Sequence, residues 1–256
     1  MLNQNTLNGL KKNQQRKIIL NDTAVLGFTG FVGSNIVKQL PFPCDLYNSK
    51  NFNELKGKSY KRIYCACVSG VKWKANLNPK DDYINISKII KILETVECEE
   101  FYLVSSQDCN SSLESDEEFN SLPPTIYGIH RLQFEWFISS KFPTARIMRI
   151  GCLFGDGLKK NIIYDLLNQK DFIDVTKDIT YQLYYIGNLV KDFEYMKDNN
   201  IMIMNRFSES VYSSEIAEAL GIEIKFNNKY YKYNNKGNYI LSKKEQLKLL
   251  KEWSKR

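Results

Sequence analysis

The chain has 256 residues, 43% hydrophobic and 25% charged, with a formal net charge of +7 at neutral pH. That length supports one large domain, or a domain with a small second lobe, and excludes a peptide or a repeat array. No apolar run approaches the roughly 18 residues of a membrane span, and the Lys and Arg residues are spread along the chain, which points away from membrane and nucleic acid and toward anionic small molecules.

Residues 1–22, MLNQNTLNGLKKNQQRKIILND, form a polar leader. It reads as a flexible tail or as an arm on a partner subunit, and it lacks the apolar core and cleavage site of a secretory signal. The six cysteines, Cys44, Cys65, Cys67, Cys98, Cys109 and Cys152, have no CxxC spacing, and several sit in apolar runs. They read as reduced thiols of a cytoplasmic protein, with no metal site expected.

In chain order, TAVLGF is a short apolar run that stops at glycine, as a buried strand does, and FVGSNIVKQL has helical spacing up to Pro41. CDLYN and RIYCACV read as strands. DDYINISKIIKILETVE reads as an amphipathic helix with Ile84, Ile86, Ile89, Ile90 and Leu93 on its apolar side. FYLVSS is a further buried strand, a helix starts near Tyr127, and RIMRIGCLF is strand-like again. This alternation predicts an α/β Rossmann-type doubly wound parallel sheet, with the dinucleotide-binding core over 23–155. From 156 to 256 the last core elements are expected to interleave with a small substrate lobe built from YQLYYIGNLVKDFEYM, SSEIAEALGI and LSKKEQLKLLKEWSKR.

The junction of first strand and first helix carries Gly27-Phe28-Thr29-Gly30-Phe31-Val32-Gly33, the position of a dinucleotide phosphate site. Gly27 allows a tight turn, Gly30 a close approach of backbone to pyrophosphate, and Gly33 close packing of helix on strand, while the N–H groups of the helix start face the negative charge. Cofactor choice is written at the end of the second strand, where an acid holds the ribose 2′-hydroxyl of NAD. That end reads Asn48, Ser49, Lys50, with a hydroxyl and an ammonium able to bind a 2′-phosphate, so NADP is favoured over NAD. A register shift of three residues would bring Asp45 to that end and keep NAD open.

GFTGFVGS resembles the GxTGFxG turn of the extended short-chain dehydrogenase/reductase superfamily, in its NAD-dependent epimerase/dehydratase-like branch. The resemblance makes Gly27, Thr29, Gly30, Phe31, Val32 and Gly33 cofactor-binding candidates. It also implies that FYLVSSQDCN ends in the catalytic hydroxyl, at Ser106, with Ser105 facing the other way. Tyr127-Gly128-Ile129-His130-Arg131 is similar to the superfamily's YGxxK, with Arg for Lys. Positions i and i+4 share a helix face, so Tyr127 can act as proton donor or acceptor beside Arg131. The cation is expected to lower the phenol toward working pH and to hydrogen-bond the nicotinamide ribose. His130, the only histidine, lies about 100° around the helix from Arg131 and is assigned a packing or surface role.

ACVSGVKWKANLNPKDDYIN is similar to the loop after the fourth strand in dTDP-4-dehydrorhamnose reductase-like proteins. That likeness places Ala66 and Cys67 beside the cofactor and Asn85 in the following helix. Within it, Lys72 and Lys74 flank Trp73, which either stacks on the base or sugar of an anionic sugar nucleotide or packs inward from an exposed basic loop. RIMRIGCLFGDG is similar to the stretch leading to the substrate lobe, with Phe154 and Gly155 at its Tyr-Gly positions, and Arg149 is either a substrate diphosphate contact or part of a core-edge ion pair. In the superfamily's 4,6-dehydratases the catalytic Thr is followed by Asp and Glu. Here Gln107 and Asp108 follow Ser106, and an amide cannot deliver the proton that water elimination needs. The resemblance therefore implies an NADP-dependent reductase of a nucleotide-activated keto-sugar or similar carbonyl, a possible homodimer, with an abbreviated substrate lobe. An epimerase and a non-catalytic NADP(H)-binding regulatory protein stay open as alternatives.

Overall fold

In the computed structural model, residues 22–110, 125–169, 176–230 and 241–256 are described. Except for Asp22, the polar leader lies outside them. In chain order the strands are β1 (Thr23–Leu26), β2 (Asp45–Tyr47), β3 (Ser59–Cys65), β4 (Glu97–Ser106), β5 (Arg146–Ile150), β6 (Cys152–Phe154), β7 (Lys177–Tyr185), β8 (Ile203–Arg206), β9 (Ser210–Tyr212) and β10 (Asn228–Tyr230). The helices are α1 (Phe31–Gln39), α2 (Lys72–Leu77), α3 (Pro79–Leu93), α4 (Ile126–Lys141), α5 (Ile162–Leu167), α6 (Leu189–Asp198), α7 (Ser213–Leu220) and α8 (Lys243–Trp253).

The main sheet is parallel throughout, in the order β2-β1-β3-β4-β5-β8. Alternating side chains divide its interior into two cores, as strands covered on both faces require. Ala24, Leu26, Ile63, Cys65, Phe101, Leu103 and Ile147 face one way, against Ile86 and Leu93 of α3 and Phe134 and Ile138 of α4. Val25, Tyr64, Tyr102, Met148 and Met204 face the other, against Ile36 of α1 and Leu189, Phe193 and Met196 of α6. This is the doubly wound α/β architecture that the alternation of elements predicts.

Three local expectations change. Ile84 is 38% exposed while Ile86 is buried, because two positions on a helix are about 200° apart and α3 turns Ile86 and Leu93 inward. KWKAN is a short helix, α2, that follows the third strand of this chain. RIMRIGCLF is two strands: β5 stays in the main sheet, and β6 pairs with β7 in a second sheet ordered β10-β7-β6, to which β9 adds antiparallel. The break falls at Gly151, where a Cβ would lie 2.1 Å from the Gln182 carbonyl oxygen. The second sheet packs with α5, α7 and α8 around Phe154, Leu166, Leu183, Val211, Ile216 and Leu250. The chain returns to the main sheet only with α6 and β8.

On the α6 face, stacked Tyr64 and Tyr102 rings lie 4.8 Å apart, and Tyr102 donates to Glu100 at 2.9 Å. Burial alone would raise the Glu100 carboxyl. Hydrogen bonds from Lys197, Tyr102 and Arg62 outweigh it and hold the group at about 2. A folded value below the ordinary 4.5 means stability that is present above that range and is lost as pH falls toward about 2. The melting-temperature difference between wild type and Glu100→Gln is therefore expected to be constant above about pH 5 and to vanish near pH 2, as read by circular dichroism melts across pH.

Candidate active site

The sheet order reverses at β1, with β2 on one side and β3 on the other, which opens a crevice at the carboxyl ends of the strands. Leu26, Tyr47, Cys65 and Leu103 lie in one register row, and β4 runs on past it to Ser106. The residues that follow each strand, Gly27, Asn48, Ala66 and Gln107, therefore rim the same edge.

The turn after β1 has no room for side chains at two glycines. Gly27 has φ +86°, and a Cβ there would lie 2.4 Å from the Ala66 carbonyl oxygen. At Gly33, buried in α1, a Cβ would lie 2.1 Å from the Gly27 carbonyl oxygen. Gly30 takes the N-cap position of α1 with extended backbone, so the first N–H groups of the helix, from Phe31 and Val32 onward, have no intrahelical acceptor. Thr29 and Gly30 are exposed there. Gly27 N–H donates to the Tyr47 carbonyl at 2.7 Å, which ties this turn to the end of β2. A cradle of backbone donors stripped of Cβ atoms fits a dinucleotide pyrophosphate.

β2 ends at Tyr47, paired with Leu26, so Asp45 sits opposite Ala24 at the strand's start. Asp45 accepts from Tyr60 at 2.7 Å. The register shift that would carry it to the ribose does not occur. Instead Asn48, Ser49 and Lys50 turn off the strand end, with Lys50 N–H donating to Asn48 Oδ1 at 2.9 Å and the Ser49 and Lys50 side chains exposed. On the other flank, Ala66 N–H donates to the Leu26 carbonyl at 2.9 Å. Cys67 Sγ lies 3.5 Å from Cys65 Sγ. The hydrogen bond with Cys65 and then burial push the Cys67 thiol well above its ordinary value, leaving an uncharged wall beside the turn.

Strand alternation separates the two serines at the end of β4. Ser105 donates to Glu135 in the core. Ser106 caps the turn Gln107–Cys109, accepting from Asp108 N–H at 3.2 Å and donating to Asp108 Oδ2 at 3.3 Å. Ser106 also neighbours the phenol of Tyr127 and favours its ionised form. The start of α4 is fixed by Thr125, whose hydroxyl accepts from Gly128 N–H at 3.2 Å, and by Asn76 of α2, which accepts from Tyr127 N–H at 2.9 Å. These caps bring the two sequence-predicted hydroxyls together.

Electrostatics at Tyr127 differ from expectation. Its ring is 7% exposed, and burial raises the phenol more than the Arg131 charge lowers it. Asp108 raises it further and the Ser106 hydroxyl lowers it, and the phenol stays raised above its ordinary value. Tyr127 is thus held as a protonated phenol, suited to giving a proton.

Arg131 is also placed differently. Its guanidinium lies 4.3 Å over the centre of the Tyr127 ring. Nη1 and Nη2 donate to Asp82 at 3.0 and 2.9 Å, and Nη2 donates to the Ser69 carbonyl at 2.7 Å. Its Nε has no partner among the described residues. The guanidinium forms a buried pair with Asp82, and a planar fork satisfied by a carboxylate is held in that plane. Burial would raise the Asp82 carboxyl, but hydrogen bonds from Arg131 and His130 hold it below its ordinary range. His130 Nδ1 lies 2.8 Å from Asp82 and its ring is tilted toward Tyr83 at 5.8 Å, so it braces the pair.

Lys72, the first residue of α2, pairs with Asp108. Trp73 is 67% exposed and Lys74 is exposed, so the indole does not pack inward. Of the three, only Lys72 turns to the serine and tyrosine. Arg149 makes a core ion pair: at 3% exposure its Nε donates to both Glu135 oxygens at 3.1 and 3.2 Å, its Nη2 to Glu135 Oε2 at 2.7 Å, and its Nη1 to Asn110 at 2.7 Å. The diphosphate alternative is excluded by that burial. Removing one partner leaves a buried charge uncompensated, so Arg149→Met is expected to cost about 3–5 kcal/mol in denaturant unfolding.

Asp82, Asn76 and Glu135 were not among the sequence-predicted site residues. They act on residues 49, 51 and 14 positions away, and no local spacing signals such pairings.

No protein-family model and no curated protein sequence matches the chain. Among solved structures, a dTDP-4-dehydrorhamnose reductase from Clostridium acetobutylicum is similar at TM-score 0.69 and 18% identity, over 90% of this chain and 97% of that one. The protein RMD from Pseudomonas aeruginosa, complexed with NADPH, is similar at TM-score 0.64 and 14% identity, over 91% and 99%. UDP-glucose 4-epimerase from Thermotoga maritima, solved with UDP-glucose, is similar at TM-score 0.61 and 12% identity, over 91% and 98%. The parallel sheet, its reversal at β1 and this likeness together give the chain the fold of the extended short-chain dehydrogenase/reductase superfamily.

Proposed function

We propose that the chain binds NADP(H) at the glycine turn and reduces a keto group of a nucleotide-activated sugar or a similar carbonyl compound. The observation that carries the reading is the placement of Ser106, at the end of β4, beside the buried Tyr127 at the same sheet edge as a turn with no space for Cβ atoms. Similar folds solved with NADPH and with UDP-glucose support the cofactor and substrate class.

The turn would hold the pyrophosphate on backbone N–H groups, and Ser49 and Lys50 would hold the 2′-phosphate. The reduced nicotinamide, when bound, supplies a hydride for the carbonyl carbon. Ser106 orients the carbonyl oxygen, and Tyr127, held protonated, gives that oxygen its proton. Gln107 is 7% exposed and its Oε1 has no partner among the described residues. An amide there cannot serve as an acid, so elimination of water is disfavoured relative to reduction.

One charge-assisted hydrogen bond at an exposed site contributes about 1.5 kcal/mol, or roughly tenfold. Lys50→Ala is therefore expected to weaken NADPH about tenfold and to leave NADH unchanged, as read by titration of the reduced dinucleotides' fluorescence. Equal loss for both would remove Lys50 from the 2′-phosphate.

A second reading, a non-catalytic NADP(H)-binding protein, is favoured by one observation: Arg131 is consumed by Asp82 and Ser69 and is turned onto the Tyr127 ring. Incubation with NADPH and a panel of nucleoside-diphosphate keto-sugars separates the two. Oxidation of NADPH that Tyr127→Phe abolishes supports the reductase, and tight NADPH binding without oxidation supports the second reading.

A further inference from the structure

A tyrosine that gives up its proton must regain one before the next turnover. Two of its obvious sources are closed here. The Tyr127 side chain is buried at 7% exposure. The cation one helical turn along is a guanidinium, which does not deprotonate in proteins, and it is held by Asp82 and the Ser69 carbonyl.

The opposite side of Tyr127 is built differently. Ser106 neighbours its phenol and favours the ionised form, Ser106 Oγ donates to Asp108 Oδ2 at 3.3 Å, and Asp108 Oδ1 is paired with the ammonium of Lys72. Exposure rises along this line: the side chain of Asp108 is 15% exposed and that of Lys72 is 33% exposed. Each group can both accept and release a proton, and the outermost one meets water.

We propose that Lys72, acting through Asp108 and Ser106, is the proton entry of this site. The inference rests on the reductase reading. As the reduced nicotinamide dinucleotide gives its hydride to the carbonyl carbon, the Tyr127 O–H bond breaks and the substrate O–H bond forms. The Lys72 ammonium protonates the Asp108 carboxylate, and Asp108 then gives that proton to Ser106 as Ser106 gives its own to the phenolate. The resulting amine is reprotonated by solvent. One hydride and one solvent proton are consumed per alcohol formed, and all four side chains end in their starting states. Lys72 and Asp108 are positioning and relay residues: neither needs to touch the substrate. Lys72 also offsets the Asp108 charge, which would otherwise oppose the transient phenolate.

Two measurements test this. In steady state with NADPH and a keto-sugar nucleotide, Lys72→Ala is expected to lose about 10²-fold in kcat with KM for NADPH unchanged. Added ethylammonium should restore part of the loss, and Lys72→Arg, which keeps the charge but cannot release the proton, should remain as slow as Lys72→Ala. Full activity in Lys72→Arg, or no response to ethylammonium, would overturn the relay. The second measurement needs no turnover: tyrosine 13Cζ NMR titration, with the Tyr127 resonance assigned by its loss in Tyr127→Phe. The Tyr127 midpoint should rise in Lys72→Ala, where the Asp108 charge is uncovered, and fall in Asp108→Asn. A midpoint that neither variant moves disproves the coupling. Absence of NADPH oxidation by wild type, with these shifts present, would instead count against the reductase reading.

Discussion

Tyr127→Phe is expected to lower kcat for carbonyl reduction by about 10²–10⁴-fold, the range for a general acid, while NADPH affinity stays within about twofold of wild type. Phenylalanine keeps the ring against which the Arg131 guanidinium is stacked at 4.3 Å, so the pair with Asp82 and the packing of α4 survive. What disappears is the buried, protonated hydroxyl beside Ser106 at the sheet edge. Because burial outweighs Arg131 and leaves the phenol above 10, the acid stays loaded through the neutral range. Wild-type kcat for reduction should therefore be flat in pH until the alkaline side, where the phenol ionises. Steady-state rates at saturating NADPH and substrate, measured across pH, check both parts.

Gly33→Ala is expected to destabilise the fold by about 1–3 kcal/mol, the ordinary cost of an added methyl with nowhere to go, and to abolish measurable dinucleotide binding. The new Cβ would stand 2.1 Å from the Gly27 carbonyl oxygen and 2.9 Å from Phe28 Cα. Backbone cannot yield as a flexible side chain does, so α1 must move away from the turn. The N–H groups at its start then no longer aim at the crevice. Gly30→Ala is the matched control. Its Cβ would meet only the Gly27 carbonyl oxygen, at 3.3 Å, inside the protein, so folding is retained and any loss of affinity reports the approach of a ligand. Thermal melts and fluorescence titration of NADPH separate the two effects.

The parts of the site that were legible in the sequence are those in which function follows strand and helix ends. The run TAVL stops at Gly27 because the chain must turn with positive φ there. Ser106 and Tyr127 stand at the last position of β4 and near the first of α4, where local hydrophobic pattern already marks the boundaries. The same holds for Asn48, Ser49 and Lys50, whose place at the end of β2 needed only the register of Leu26 with Tyr47. Charge partners across the fold were less legible. Arg131 reads from its spacing as the neighbour of Tyr127, which it is, yet its hydrogen bonds are decided by Asp82, 49 positions away. Arg149 left two readings open until Glu135 appeared opposite it in the core. Lys72 and Trp73 are adjacent in sequence, but the start of α2 sends the ammonium to Asp108 and the indole to solvent. A phenol's environment, finally, is a sum over burial and four neighbouring groups, and spacing along one helix supplies only one of them.

The account stands on hydride chemistry at Tyr127, and the most direct measurement is a single turnover. Wild-type protein loaded with stoichiometric NADPH is mixed with a nucleoside-diphosphate 4-keto-sugar, and NADPH absorbance is followed alongside mass analysis of the sugar. The predicted result is loss of NADPH matched by a sugar two hydrogens heavier, with Tyr127→Phe binding NADPH equally and reacting far more slowly. Bound NADPH that stays reduced across the substrate panel, or oxidation at the same rate in Tyr127→Phe, would contradict it.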